Sequence, residues 1–129
     1  MYYMADEMES NTTSTTMQLK LNFTFPTVSD DADFIISWTA EIHANSSASY
    51  INVCLMCDGM ALNEQDWHPN PDGGTEEGWA VASGWKYADL NAGPHEFTIW
   101  FKSSTAGEMV KIRRARILAQ PSNAIIVLN

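Results

Sequence analysis

The clearest pattern in the chain is DFIISWTAEI, residues 33–42. Its alternate positions on one side are apolar: Phe34, Ile36, Trp38, Ala40 and Ile42. The facing positions are mostly polar: Ser37, Thr39, Glu41 and, one residue further on, His43. Successive side chains of a β-strand point to opposite faces of the sheet, so this alternation predicts a strand with one buried face and one exposed face.

The same alternation recurs along most of the chain. Three further apolar faces are Leu19, Leu21, Phe23 and Phe25; Ile51, Val53, Leu55 and Cys57; and Phe97, Ile99 and Phe101. Other predicted strands cover 60–64, 79–90, 109–119 and 124–128. Asp58-Gly59 favours a two-residue hairpin, and the Arg113-Arg114 pair suggests a bulge near the sheet edge. Because no segment has a helical period, the sequence predicts an all-β fold, a jelly-roll β-sandwich of about eight antiparallel strands.

Residues 1–16 differ from the rest of the chain. Residues 1–9 are acidic and rich in Met and Tyr, and residues 10–16 form a Ser/Thr/Asn tract without periodicity. The sequence therefore predicts an extended N-terminal arm over 1–16, held by packing or by contact with a partner, and one jelly-roll domain over 17–129.

The net charge of −9 is unevenly distributed. Lys20 and 13 acidic residues precede Lys86, whereas six bases and three acids follow from Lys86 onward. The acidic total argues against nucleic-acid binding, and the polarity favours charge-complementary assembly between copies. No apolar run approaches the roughly 20 residues that span a bilayer, so no membrane partner is expected. The acidic start lacks the apolar core of a secretory signal, which predicts a product of the cytoplasm.

No residue pattern indicates an active site. His43, His68 and His95 lie in no metal-binding spacing, and the sequence has no nucleophile motif and no Gly-rich phosphate loop. Cys54 and Cys57 lie in a predicted strand, where residues three apart face opposite ways, so free thiols are expected. We predict a non-enzymatic protein with no catalytic residue, cofactor or metal. A calcium site in the oxygen-rich loop over 66–77 stays open as an alternative.

Aromatic and basic residues are the candidate contact residues. Interfaces between subunits are rich in aromatic residues and Arg. The residues that we expect at an oligomer interface are Tyr2, Tyr3, Met4, Met8, Tyr87, Trp100, Arg113, Arg114 and Arg116. Exposed aromatic rings also stack on sugars, and this alternative assigns Trp67 and Trp79, beside polar loop residues, to glycan binding.

Four segments carry a family resemblance: DFIISWTAEI at 33–42, VCLMCDG at 53–59, LNAGPHEFTIWF at 90–101 and IRRARILA at 112–119. With them, residues 32–120 resemble jelly-roll domains of tailed-phage virion proteins, which include head decoration proteins, fibres and receptor-binding tips. The resemblance implies a homotrimer on the virion, with the major capsid protein or another virion protein as partner. Together with the arm, it predicts a capsid decoration (cement) protein that stabilises a phage head. The alternative is a carbohydrate- or receptor-binding module of a phage tail or fibre.

Overall fold

Nine β-strands account for most of the residues that the computed structural model describes, which are 2–24, 32–46, 49–69 and 78–122. The strands are β1 (Tyr2–Asp6), β2 (Ser10–Thr12), β3 (Gln18–Thr24), β4 (Ala32–Ala44), β5 (Ile51–Cys57), β6 (Met60–Trp67), β7 (Ala80–Leu90), β8 (Glu96–Ser103) and β9 (Val110–Pro121). Within the described part of the chain, no helix is long and apolar enough to cross a membrane.

The strands form two antiparallel sheets. The first sheet has the order β1-β9-β4-β7, with β2 also paired to β9, and the second has the order β3-β8-β5-β6. From β2 onward, each connection crosses from one sheet to the other except the β5–β6 hairpin. The predicted all-β, two-sheet fold is confirmed, and its finer assignment as a jelly roll stays a prediction.

The core lies between the sheets and follows the alternation predicted for β4. Ile36, Trp38 and Ile42 are at most 1% exposed. The inner faces of β5 and β8 complete the cluster with Ile51, Val53, Leu55, Phe97, Ile99 and Phe101. Burial of each large apolar side chain contributes about 1.5–3 kcal/mol. His43 departs from the predicted outward position: it is buried, because the ring of Trp79 lies against it with the ring centroids 5.6 Å apart.

The hairpin between β5 and β6 confirms the turn predicted at Asp58-Gly59. The φ angles are 51° at Asp58 and 83° at Gly59, and positive values at both positions are those of a two-residue type I′ turn. The structure extends β6 to Trp67, beyond the predicted return strand over 60–64. The predicted last strand over 124–128 lies outside the described residues, as do residues 70–77 of the candidate calcium loop.

A register shift in β3 changes which of its residues are buried. The alternation predicts Leu19, Leu21, Phe23 and Phe25 on one inner face, of which Phe25 lies outside the described residues. The pairing with β8 is irregular between Leu19 and Leu21. Leu19 is therefore 48% exposed, whereas Lys20 is buried together with Leu21 and Phe23. The shift brings a lysine side chain into the protein interior.

The N-terminal segment folds back on its own sheet. The sequence predicts an extended arm over 1–16, whereas the structure pairs β1 and β2 with β9 along one edge of the first sheet. The buried Lys20 ammonium donates hydrogen bonds to the Asp6 carboxylate at 3.0 Å, to the Ser10 hydroxyl at 2.9 Å and to the Met8 carbonyl. Because an unpaired buried charge is costly, these bonds tie the segment to β3. The boundary at residue 16 stays a prediction.

The bulge predicted at Arg113-Arg114 is present in β9. Its pairing with β4 changes register there, with Glu41 opposite Arg113 and Thr39 opposite Arg116. Arg114 has a φ of 51°, which is uncommon for a residue with a side chain. The extra residue places Arg113 and Arg114 together on the outer face of the first sheet. β2 pairs with β9 over 110–112 and β1 over 115–119, so the bulge lies between these two pairings, beside the edge of the sheet.

Candidate functional site

The outer face of the first sheet carries a pair of exposed aromatic rings. Trp85 and Tyr87, two residues apart on the edge strand β7, are 59% and 58% exposed. Their ring centroids are 5.7 Å apart and their planes meet at 80°, an edge-to-face contact. Such a contact contributes about 0.5–1.5 kcal/mol beyond the buried area, so Tyr87 helps to fix the Trp85 ring while its face stays open to solvent.

A groove of mixed polar and apolar lining adjoins Trp85 at the side of the sandwich where the edge strands β6 and β7 meet. This Trp85 groove has a volume of about 570 Å³. It is lined by Ser37, Trp38, Thr39, Asn63, Gln65, Ser83, Gly84 and Trp85. Its hydroxyl and amide groups both donate and accept hydrogen bonds, and Trp85 adds an apolar surface. The groove therefore suits a ligand that combines apolar ring faces with many hydroxyl groups.

Gly84 allows the two sheets to come together at this groove. The Trp38 Nε1–H donates to Asn63 Oδ1 at 3.2 Å and so links β4 of the first sheet with β6 of the second. A Cβ atom at position 84 would lie 2.6 Å from Trp38 Nε1 and even nearer to Asn63 Oδ1. A glycine is thus required for the β7 backbone to pass this hydrogen bond.

A second groove continues along the same face and shares Thr39 with the first. This arginine groove has a volume of about 280 Å³ and is lined by Thr39, Ala40, Glu41, Val81, Arg114 and Arg116. Arg113 Nε donates to Glu41 Oε1 at 2.7 Å, and Arg114 Nη1 donates to Glu41 Oε2 at 2.9 Å. These two hydrogen bonds lower the pKa of Glu41, so its carboxylate is ionised at neutral pH.

The connection between β1 and β2 adds a second carboxylate beside the arginine groove. Glu7 Oε1 accepts hydrogen bonds from Arg116, at 3.0 Å from Nη2 and 3.3 Å from Nε. Glu7 Oε2 lies 3.9 Å from Arg114 Nε, and all three side chains are about half exposed. The outer face thus carries a row of alternating charges whose carboxylates come from the acidic part of the sequence and whose guanidiniums come from the basic part.

The two tryptophans predicted for glycan binding make other contacts. Trp67 is half-buried at the end of β6, and its ring meets that of Trp38 edge-on, with centroids 6.3 Å apart. Trp79 is half-buried before β7, with the guanidinium carbon of Arg113 3.9 Å from its ring centroid and His43 against the ring. Neither residue lines the two grooves. Glycan binding by Trp67 and Trp79 stays a prediction.

The residues predicted for an oligomer interface lie on several surfaces. The outer face of the first sheet carries Tyr3, Tyr87, Arg113, Arg114 and Arg116, and the three arginines pair with carboxylates of the same chain. The others are Tyr2, packed against the core, Met4 and Met8, exposed on the N-terminal segment, and Trp100, on the outer face of the second sheet. The homotrimer and its virion partners stay predictions.

A further cluster connects the β5–β6 turn with the start of β8. The ligand atoms of Cys57, Asp58 and His95 lie within 4.8 Å of one another, a spacing that a metal ion could use. In the structure His95 Nδ1 is 2.7 Å from Asp58 Oδ2, and Nε2 is 2.8 Å from the Asn91 carbonyl oxygen. Both partners accept hydrogen bonds, so the Asn91 carbonyl and the Asp58 carboxylate raise the pKa of His95 and favour the ring that donates from both nitrogens.

The Cys57 thiol of this cluster is poorly suited to bind a metal. Burial, with the neighbouring Asp58 carboxylate, raises the pKa of Cys57 to about 12, and metals bind the thiolate rather than the thiol. Asp58 Oδ1 also accepts a hydrogen bond from the Glu96 N–H at 2.8 Å. The cluster therefore acts as a clamp that fastens the β5–β6 turn to β8.

Sequence reasoning assigns glycan binding to Trp67 and Trp79 rather than to Trp85, and it does not identify the two carboxylates. The alternation over 80–90 places Trp85 on the face opposite the small and apolar residues, and this signal could have identified it. Glu41 and Glu7 give no comparable signal, because they meet their arginine partners at sequence separations of 72 to 109 residues.

Comparisons with known proteins place the fold. No family model and none of the curated proteins matches the chain. Among solved structures, the chain is similar to the EclA C-terminal domain, described as a sugar-binding protein, with a TM-score of 0.52 and 14% identity over 87% of this chain and 78% of that one. It is also similar to the insecticidal δ-endotoxin Cry8Ea1 from Bacillus thuringiensis, with a TM-score of 0.56 and 12% identity.

A third similar structure is latent PorU from Porphyromonas gingivalis, with a TM-score of 0.57 and 9% identity. The alignments cover 87% and 92% of this chain but only 19% of the toxin chain and 12% of the PorU chain. At such identities the similarity establishes the fold alone, and on that evidence the chain is a two-sheet β-sandwich.

Proposed function

We propose that this chain is a non-catalytic carbohydrate-binding module whose ligand site is the Trp85 groove. The observation that carries the proposal is the exposed Trp85 ring beside a groove of hydroxyl and amide side chains. The apolar face of a sugar ring stacks on an aromatic ring, and its hydroxyls exchange hydrogen bonds with groups such as Ser37 and Gln65.

The groove is organised before any ligand arrives. Tyr87 fixes the Trp85 ring through an edge-to-face contact, and the hydrogen bond from Trp38 fixes the Asn63 side chain. Groups that are already in place lose little conformational freedom on binding, which favours affinity for a flexible, well-hydrated ligand such as an oligosaccharide.

The similarity to the EclA C-terminal domain supports the proposal. That protein is described as sugar-binding, and the alignment spans most of both chains. A shared sandwich does not by itself transfer a function, so the groove and its residues carry the argument and the similarity adds to it.

The predicted capsid decoration role requires a rearrangement that carbohydrate binding does not. A clip over residues 1–16 would have to leave β9 and give up the bonds of Lys20 to reach a neighbouring subunit. We therefore favour the carbohydrate-binding alternative, and a location on a phage tail or fibre stays a prediction.

The experiment compares the wild-type protein with Trp85→Ala on a panel of soluble neutral and acidic polysaccharides, by affinity electrophoresis and calorimetry. We expect one class of glycan to bind the wild type, and Trp85→Ala to weaken it about tenfold or more, since a stacking contact is worth about 1.5 kcal/mol. The matched control is Tyr50→Ala, an exposed aromatic residue that lines neither groove, and it should bind normally. Equal affinities of wild type and Trp85→Ala, or no binding across the panel, would refute the proposal.

A further inference from the structure

The arginine groove carries a local excess of positive charge on an acidic protein. The row has one more cation than anion. It contains two carboxylates, those of Glu41 and Glu7, and three guanidiniums, those of Arg113, Arg114 and Arg116. The chain as a whole has a net charge of −9. A local excess of positive charge in this row favours an anionic group there, because it attracts what the acidic surface elsewhere repels.

The backbone is distorted where it presents these arginines. The β9 bulge turns Arg113 and Arg114 to the same face, and Arg114 has a positive φ of 51°. Bulges re-aim side chains and occur next to functional sites. A residue other than glycine at a positive φ lowers the stability of the fold. The distortion is explained if two adjacent guanidiniums are needed at this point.

Glu7 occupies the position that a ligand carboxylate would take. One of its oxygens accepts both hydrogen bonds from Arg116, while the other is 3.9 Å from Arg114. The side chains of this group are about half exposed, and exposed ion pairs of this kind are weak. A carboxylate in the groove can therefore replace Glu7 at little cost.

The two grooves lie close enough for one oligosaccharide to reach both. Thr39 lines both of them and is opposite Ser83 on one side and Arg116 on the other. Since adjacent strands are about 4.8 Å apart, Arg116 lies roughly 10 Å across the sheet from the strand that carries Trp85. This distance fits a chain of sugar rings rather than a single ring.

We propose that the arginine groove selects carboxylated oligosaccharides: one sugar ring stacks on Trp85, and a carboxylate of another displaces Glu7 from Arg116 and Arg114. This inference rests on the proposed function and names its ligand class. Arg116 is the group to test, because its hydrogen bonds to a carboxylate run only to the exposed Glu7 in the described structure, whereas Arg114 also binds Glu41.

The experiment uses two ligands with the same backbone: oligogalacturonate and its fully methyl-esterified form, in which the carboxylates are masked. We expect the wild type to bind the acid more tightly, with an affinity that falls as salt rises. Arg116→Gln should weaken binding of the acid about two- to fivefold, the worth of an exposed ion pair, and leave binding of the ester unchanged. Glu7→Gln, which removes the carboxylate that competes with the ligand, should raise the affinity for the acid about two- to fivefold. Lys102→Gln, on the outer face of the second sheet, is the control and should change neither.

The outcomes separate this inference from the proposed function. Equal binding of acid and ester, both lost in Trp85→Ala, would leave the carbohydrate-binding proposal standing and overturn the selectivity for carboxylates. Equal weakening of acid and ester in Arg116→Gln would overturn it too, provided that urea unfolding shows the variant to be folded. Binding of neither form, together with silence across the wider glycan panel, would overturn both.

Discussion

The substitution Gly84→Ala tests the contact on which the Trp85 groove is built. The new Cβ atom would lie 2.6 Å from Trp38 Nε1, whereas ordinary contact begins at 3.4 Å, so the neighbouring groups must separate by about 0.8 Å. Trp38 is 1% exposed and belongs to the core cluster, so its ring has little room to retreat.

The expected cost follows from two effects. Overpacking of a well-packed region costs about 1–3 kcal/mol. If the Trp38–Asn63 bond breaks, the Nε1–H is left buried without a partner, which costs about 1–3 kcal/mol more. Gly84→Ala should therefore lower the free energy of unfolding by about 2–6 kcal/mol, a large part of the total for a domain of this size.

Urea unfolding followed by Trp fluorescence measures the change. Gly78→Ala is the matched control, because no atom lies within 4 Å of its added Cβ, and it should shift stability by less than about 1 kcal/mol. Combining Asn63→Ala with Gly84→Ala removes the nearest obstacle, so the double variant should be less destabilised than the two single changes added together. A stability for Gly84→Ala within about 0.5 kcal/mol of the wild type would contradict the described contact.

Three further predictions concern the N-terminal segment and the turn clamp. Asp6→Asn removes the counter-charge of buried Lys20 and should speed hydrogen exchange of the β1 amides about tenfold or more while the β4 amides stay protected. Burial alone would raise the pKa of Asp6, but the Met8 N–H and Lys20 lower it overall. The stability that the Asp6 carboxylate contributes is therefore fully present above pH 3.8, its ordinary pKa, and is lost as pH falls through the folded-state pKa. The pKa of His95 is raised, so its effect on stability runs the other way: the clamp stabilises the fold fully below pH 6.5, and this stability is lost as pH rises through the folded-state pKa. Unfolding of His95→Gln measured over a series of pH values should lack this loss at alkaline pH. Deleting residues 2–12 should destabilise the sandwich, and an unchanged unfolding midpoint would show that the segment is an independent arm.

Local features of the fold are predictable from the sequence. The alternation of β4 and the Asp58-Gly59 turn depend on neighbouring residues only, and both are confirmed. The irregularity between Leu19 and Leu21 is not visible in the sequence, because it depends on how β3 pairs with β8. For the same reason the burial of Lys20 cannot be derived from the period-two pattern, which places it on the exposed face.

The candidate site is less predictable because it joins distant segments. Thr39, Asn63 and Arg114 lie on β4, β6 and β9, so only the sheet order brings them near one another. Neighbouring polar loop residues suggest that Trp79 is exposed, whereas the guanidinium of Arg113, 34 positions later in the sequence, lies over its ring. Exposure of an aromatic ring is a tertiary property, and alternation captures it only within a regular strand such as that of Trp85.

The pairing of β1 with β9 sets an order of events during synthesis. Tyr2 is opposite Ala119, so β1, the first of the described strands to leave the ribosome, has to wait for β9, the last of them. Until then the ammonium of Lys20 and the edge of β1 lack the sheet that shelters them. Contacts between such distant segments form slowly, because the intervening chain must first be brought into a closed loop. The nascent sandwich is therefore expected to close late, with the arginine groove assembled only when Arg114 and Arg116 of β9 arrive.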